Sequence, residues 1–285
     1  MKNILITSAK GLWIGGTLTV PGVSGGSMAM ILGIYDKLLW AVNSLVKKGG
    51  EKKKAFFFLL WTALGGGVGF VAFSALVKLL LEAAPLYVCC FFVGAVVGGV
   101  PLVLRKASIK VPSLIDILMV LLGCASVVLI ALIPKELFAI NGISGIGGIG
   151  LKLLCGFILA FGLVLPGISF SQMMYVFGIY NDVVDKISSF DILPLIPIGI
   201  GGIVGILATS FAVEKLMEKY PRRIYAVIFG FLLGSVPLMF TETLKEADKI
   251  SVPLWAYPLF AILAVLGFTA VYLMSKKEDG IADGK

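Results

Sequence analysis

The sequence predicts an all-α, polytopic membrane protein with an inverted-topology repeat, in which each half has one re-entrant helical hairpin and three transmembrane helices. Three observations predict this fold. The chain of 285 residues is 59% hydrophobic and 14% charged, whereas soluble domains have about a quarter charged residues. Apolar runs of about 20 residues, long enough to cross the hydrocarbon core, recur along it. A helix-breaking segment of the first half also recurs in the second.

The recurring segment is a gapless internal repeat. Residues 11–42 align with residues 156–187 at a constant spacing, so that Pro21 matches Pro166. The glycine-rich stretch and the apolar run that follow in the first half are matched in the second half as well. A repeat of this length corresponds to one supersecondary unit. The sequence therefore predicts two copies of one structural element.

The two predicted units are residues 1–140 and residues 141–285. Each begins with a predicted re-entrant hairpin, at residues 4–46 in the first unit and at residues 149–190 in the second. Three apolar runs of membrane-spanning length follow each hairpin. These predicted spans are residues 55–81, 86–104 and 113–133 in the first unit, and residues 192–214, 222–241 and 253–274 in the second.

The distribution of lysine and arginine predicts the orientation. Basic residues cluster at 47–54, 105–110 and 215–223, and again after residue 275. Because cytoplasmic loops carry the excess of lysine and arginine, we expect these segments and both chain termini on the cytoplasmic side. The first hairpin then opens to the cytoplasm and the second to the outside. Inverted repeats of this kind place a binding site near the bilayer midplane.

The matched turn is the candidate binding site. A proline breaks each helix, the glycine after it allows a sharp turn, and a serine can then cap a new helix. The N–H groups and the positive dipole end of a helix start attract an anion. A kink that merely lets helices pack closely is the alternative, and retention of the serines in both copies favours a site. The candidate residues are Pro21, Gly22, Val23, Ser24, Gly25, Gly26 and Ser27, and Pro166, Gly167, Ser169, Phe170, Ser171 and Gln172.

The residue types argue against several other functions. Histidine is absent from the chain, and the four cysteines lie in apolar stretches without metal-ligand spacing. The two turns contain no acidic or basic residue between the proline and the Gly-Ile-Tyr triplet that follows. We therefore expect no metal, no cofactor and no enzymatic activity. The net charge of +8 lies mostly in loops, where orientation explains it, so we expect no nucleic-acid partner.

The two motifs resemble those of the PopT family of bacterial polyprenyl-phosphate transporters. PGVSGGSMAMILGIYDKL starts at residue 21 and LPGISFSQMMYVFGIYNDV at residue 165, and a Glu-x-x-Pro segment follows each. The resemblance implies that the anion is the headgroup of undecaprenyl phosphate or a similar lipid. It implies a flippase that returns this lipid across the bacterial plasma membrane for cell-envelope synthesis by alternating access. Phe170 replaces a glycine of the family's second motif, which narrows the approach to that turn.

Charged residues outside the motifs are candidates for coupling or for the headgroup path. Glu82 and Glu218 either accept a coupled proton or lie in water at the interface. Lys10, Arg222 and Arg223 either capture phosphate or anchor the chain by the positive-inside rule.

Two further alternatives stay open at this stage. Asp116 and Lys152 either form a buried pair or lie at opposite interfaces. The alternative function is a carrier or channel for a small inorganic or organic anion. Such a protein would have a narrow, water-lined route and no gap open to lipid.

Overall fold

The computed structural model describes residues 2–18, 23–109, 111–140, 145–189, 191–246 and 256–282. Across these ranges the chain forms α-helices and one short 3-10 turn, with no strand. The all-α prediction is therefore confirmed for the part of the chain that the structure describes. In the first unit the helices are α1 (Lys2–Thr17), α2 (Gly25–Ile31), α3 (Tyr35–Val46), α4 (Lys52–Ala83), α5 (Pro85–Ala107) and α6 (Leu114–Leu132). In the second unit they are α7 (Gly145–Val164), α8 (Phe170–Val176), α9 (Tyr180–Ser188), α10 (Ile196–Lys219), α11 (Pro221–Glu246) and α12 (Ala256–Ala282).

Six helices of the described residues are long and apolar enough to cross a membrane, so the chain is a multi-pass membrane protein. Five of them coincide with predicted spans. The sixth is Gly147–Val164 in α7, which the sequence had assigned to an arm of the second hairpin. The predicted last span corresponds to α12, of which the apolar part is Tyr257–Leu273. The other spans are Lys52–Phe73, Pro85–Ala107, Leu114–Leu132, Leu193–Lys219 and Pro221–Thr241.

The short helices after each motif end in the same glycine turn. Gly33 and Gly178 take the left-handed conformation, with φ of 71° and 66°, which glycine adopts without steric cost. The amide of the third residue beyond each helix reaches back across the turn, as in a Schellman motif. The bonds are Ile34 N to Ala29 O at 3.0 Å and Ile179 N to Met174 O at 3.1 Å. In the first unit the turn bends α3 away from α2 by 113°.

Glycines allow the first helix of each unit to lie directly on its partner. Helix α1 packs along α4, and α7 packs along α10. A Cβ atom on Gly65 would overlap the carbonyl oxygen of Ser8, and one on Gly201 would overlap that of Leu153. The glycine-rich faces therefore serve close helix packing, as small residues commonly do in membranes.

The first hairpin forms part of the centre of the bundle. Met28, Met30 and Ile31 of α2 are fully buried, and α2 packs against α5. Helix α5 in turn contacts both α11 and α12, while α11 contacts α6. Helix α2 is thus enclosed by protein.

Candidate anion-binding site

Both motifs start a helix at the serine predicted to cap it. Ser24 is the N-cap of α2, and its Oγ accepts a hydrogen bond from Ser27 N at 3.5 Å. Ser169 is the N-cap of α8, and its Oγ accepts one from Gln172 N at 3.3 Å. Pro21 and Gly22 lie outside the described residues, and so does the side chain of Ser171.

The two motifs touch each other across the protein. Gly167 N donates a buried hydrogen bond to Ser27 Oγ at 2.7 Å. A Cβ atom on Gly26 would lie 3.2 Å from the backbone of Leu165 and of Pro166. Gly167 itself is left-handed, with φ of 80°. The start of α2 and the turn before α8 therefore form one junction, which we call the motif junction.

A tyrosine makes a second link between the hairpins. The hydroxyl of Tyr35 donates to Val164 O at 2.9 Å, and this bond is buried. Val164 is the last residue of α7, immediately before the second motif. The internal repeat matches Tyr35 to Tyr180, but the sequence alone assigned no role to either tyrosine. A repeated tyrosine in an apolar stretch is a usable signal, because a buried Tyr hydroxyl usually finds a partner.

A small cavity adjoins the second motif. Its volume is about 20 Å³, which is room for roughly one water molecule. Gly167, Ser169 and Gln172 line it, together with Ser235 of α11. Ser235 is buried and donates to Leu232 O at 2.8 Å. The second helix start therefore borders a mainly apolar space that is too small for a phosphate group in this conformation.

Lys10 lies at the other end of α2 from Ser24. Its buried ammonium donates to Leu32 O at 3.0 Å, and Leu32 is the C-cap of that helix. A cation is favoured there because the helix dipole is negative at its C-terminus.

Arg222 forms an ion pair with a buried carboxylate. Its Nη2 lies 2.5 Å from Asp116 Oδ2 and 2.9 Å from Val111 O. Asp116 is 3% exposed, and together with Ser113 it forms a capping box at the start of α6. Of the two alternatives for Asp116 and Lys152, the structure does not show the buried pair, because the Asp116 carboxylate pairs with Arg222.

The other predicted charged residues lie at the surface or outside the described part. Arg223 and Glu218 are exposed, and the Arg223 guanidinium carbon lies 5.5 Å from the centre of the Tyr220 ring. The side chain of Glu82 lies outside the described residues. None of the contacts described for these residues involves the motif junction.

Two polar clusters that sequence reasoning missed tie the first hairpin to neighbouring helices. The Asp36 carboxylate accepts from Lys106 Nζ at 2.5 Å and from the Tyr225 hydroxyl at 3.0 Å. This cluster joins α3 to α5 of its own unit and to α11 of the second. The sequence signal is weak, because Asp36 and Lys106 look like ordinary loop-flanking charges.

The second cluster joins α3 to α10. Glu214 Oε2 accepts from Asn43 Nδ2 at 2.7 Å and from Lys47 Nζ at 2.8 Å. Asn43 is completely buried, and its Oδ1 has no hydrogen-bond partner among the described residues. Both clusters lie near helix ends that adjoin the basic loops.

Comparison with known proteins identifies the relatives of this chain. A protein-family model described as "VCA0040-like: Undecaprenyl phosphate translocase-like" matches residues 14–252. A polyprenyl-phosphate transporter of Vibrio cholerae is 31% identical over 253 residues, which cover 82% of this chain and 77% of the relative. One of Staphylococcus aureus is 29% identical over 244 residues, which cover 82% of this chain and 86% of the relative. No solved structure matches.

These relatives are named as transporters and not as enzymes. The resemblance read from the two motifs is thereby confirmed over most of the chain. The chain belongs to the VCA0040-like family of undecaprenyl phosphate translocase-like proteins.

Proposed function

We propose that this protein is a flippase that returns undecaprenyl phosphate, or a similar polyprenyl phosphate, from the outer to the cytoplasmic face of the bacterial plasma membrane for cell-envelope synthesis. The relatives named as polyprenyl-phosphate transporters support the substrate. The motif junction supports the mechanism, because the start of α2 meets the turn before α8 there and no motif residue is acidic. We assign headgroup binding to the residues of the two motifs, with Ser24 and Ser169 as the capping hydroxyls.

The single observation that carries this proposal is the hydrogen bond from Gly167 N to Ser27 Oγ at 2.7 Å. It brings the start of α2 together with the turn that leads into α8, although the two lie far apart in the sequence. Each helix start presents backbone N–H groups and a positive dipole end. Together they offer an anion receptor that needs no lysine, so a headgroup can be released again without breaking a strong ion pair.

The packing of the helices supports the two proposed units. The contact of α1 with α4 corresponds to that of α7 with α10, and the contact of α5 with α12 corresponds to that of α11 with α6. Helices α5 and α11 occupy equivalent positions in their units and contact each other. Exchanging the units therefore reproduces the main contacts, as expected for repeats that rock against each other in alternating access.

The contacts around α3 suggest which side is closed. The Asp36 and Glu214 clusters join the first hairpin to α11 and α10 near the basic loops, which we assign to the cytoplasm. The cavity at the motif junction holds about one water molecule. Headgroup binding and release therefore require the hairpins to separate, and breaking these two clusters would open the cytoplasmic side.

Proton coupling through Glu82 or Glu218 stays part of the proposal. Glu218 is exposed near the C-terminal end of α10, where it can exchange protons with the cytoplasm. Coupling predicts that an imposed pH gradient changes the rate of transport and that Glu218→Gln removes this dependence. If the rate of transport does not depend on the gradient, the lipid moves between the leaflets without proton coupling.

The test uses the full chain reconstituted in vesicles that contain undecaprenyl phosphate. Replacing Ser24 and Ser169 together by leucine should abolish movement of the lipid between leaflets and leave membrane insertion intact. Ser126→Ala is the matched control, because that hydroxyl donates within its own helix, to Leu122 O at 2.7 Å. Retained lipid movement in the double variant would refute the headgroup assignment. Movement of inorganic phosphate, without movement of the lipid, would instead identify a small-anion carrier.

A further inference from the structure

An apolar groove runs along the membrane-facing side of α1, between α4 and α5. Its volume is about 380 Å³, within the range of small-molecule binding sites. Phe73 and Leu76 of α4 form part of its wall and are 37% and 48% exposed. The groove is therefore open sideways, toward the space that lipid occupies in a membrane.

The groove leads from the first motif toward one membrane surface. It runs along α1 from Leu12 to Thr17, the last residue of that helix, which precedes the first motif in the sequence. It extends to Ala84 and Tyr87, where α4 turns into α5. That turn is at the opposite end of α4 from its basic start at Lys52, so the groove points to the surface away from the basic loops.

The groove depends on a glycine that the other unit does not keep. The backbone of Gly16 forms part of its wall, and a Cβ atom there would already lie 3.2 Å from the Phe73 ring. The matching residue in the second unit is Phe161, the ring of which lies 5.9 Å from that of Phe157. The two units therefore differ here: in the first unit the Phe73 ring packs on a glycine of the groove wall, and in the second unit a phenylalanine stands at the glycine position.

The chemistry of the wall favours a single unsaturated chain over the paired tails of a phospholipid. The volume holds on the order of a dozen non-hydrogen atoms, at about 30 Å³ for each water-sized group. Aromatic rings make up more than a third of the lining residues, including Trp13, Phe91 and Phe92.

We infer that this groove binds the isoprenoid tail of a polyprenyl phosphate drawn from the outer leaflet, while its headgroup lies at the motif junction. The inference rests on the proposed function and adds a tail site to it. In this conformation the tail site is open to the outer leaflet, and the two polar clusters of α3 hold the cytoplasmic side closed. The tail supplies binding energy through apolar burial, so the junction can bind the headgroup loosely.

A crosslinking experiment on the full chain tests this site directly. A photoreactive benzoylphenylalanine replaces Leu76 in the groove, or Leu266 of α12, which is 53% exposed and does not line the groove. The protein is irradiated in vesicles of phosphatidylethanolamine, phosphatidylglycerol and a small fraction of undecaprenyl phosphate. At Leu76 we expect the polyprenyl lipid to be labelled well above its share of the membrane, while at Leu266 labelling should follow lipid abundance. Labelling in proportion to abundance at both positions would overturn the inference and show ordinary acyl chains in the groove.

A substitution pair separates the tail site from the headgroup site. Gly16→Phe copies the second unit and fills the groove, whereas Gly67→Phe places the same ring where a Cβ meets nothing within 4 Å. Gly16→Phe should slow transport of undecaprenyl phosphate about tenfold relative to Gly67→Phe, because apolar contacts of the tail are lost. Equal rates in the two variants would overturn the tail site and leave the headgroup site standing. Wild-type protein that moves no polyprenyl phosphate would instead overturn the proposed function. If Gly16→Phe does not fold, the crosslinking result decides.

Discussion

Replacing Ser27 by alanine removes the hydrogen bond that joins the two motifs. Ser27 is 2% exposed, and its Oγ accepts from Gly167 N at 2.7 Å, at the short end of the range for such bonds. Alanine fills the same space but leaves the buried amide without a partner. A buried unsatisfied donor costs about 1–3 kcal/mol. The equilibrium between joined and separated hairpins should therefore shift by roughly five- to 150-fold toward separation.

Two measurements detect this shift. The melting temperature of the purified protein should fall, and amide hydrogen exchange in the peptide that contains Gly167 should become faster, because local opening sets its rate. Ser126→Ala is the control, since that hydroxyl bonds only within its own helix turn, and such substitutions usually stay within about 0.5 kcal/mol. If both variants melt alike and Gly167 exchanges no faster in Ser27→Ala, the junction does not hold the hairpins together.

Three further predictions test the packing and the ion pairs. Gly201→Ala should destabilise the protein by about 1–3 kcal/mol, because the added methyl group overpacks α10 on α7. Gly67→Ala is the control, because a Cβ at that position meets open space. Similar thermal unfolding of the two variants would contradict the packing argument. Arg222→Gln should lower thermal stability, because it leaves the buried Asp116 carboxylate unpaired. Adding Asp116→Asn to this variant should restore part of the lost stability. Additive losses of stability in the two single variants would show that the pair does not act as a unit. Asp36→Asn should speed hydrogen exchange in α3 because Lys106 loses its ion-pair partner, and unchanged exchange would mean that this cluster does not hold the first hairpin closed.

Local features of the motifs could be predicted from the sequence. Ser24 and Ser169 cap α2 and α8 as expected, because an N-cap is decided by a few neighbouring residues. The six apolar runs predicted a membrane protein, because the length of an apolar run indicates whether it can cross the bilayer. The assignment of α7 was harder, because an apolar arm of a hairpin and a transmembrane helix share one pattern.

Contacts between distant segments could not be predicted. The bonds from Gly167 to Ser27 and from Tyr35 to Val164 join residues far apart in the sequence. Periodicity tells which face of a helix is apolar but not which helix lies against it. Asp116 shows the same limit: the sequence left open whether it pairs with Lys152, and in the structure its partner is Arg222.

The two units are alike in outline and unlike at the residues that matter for switching. Ser27, which accepts the junction bond, corresponds to Gln172, Gly16 of the groove to Phe161, and buried Lys10 to Cys155. If the units exchange roles in alternating access, no symmetry therefore makes the free energies of the inward and outward states equal. Any difference between them sets the relative populations of the two states of the empty carrier. It cannot by itself drive net transport, so under the proposed function net return of the lipid requires either its consumption on the cytoplasmic side or a coupled ion.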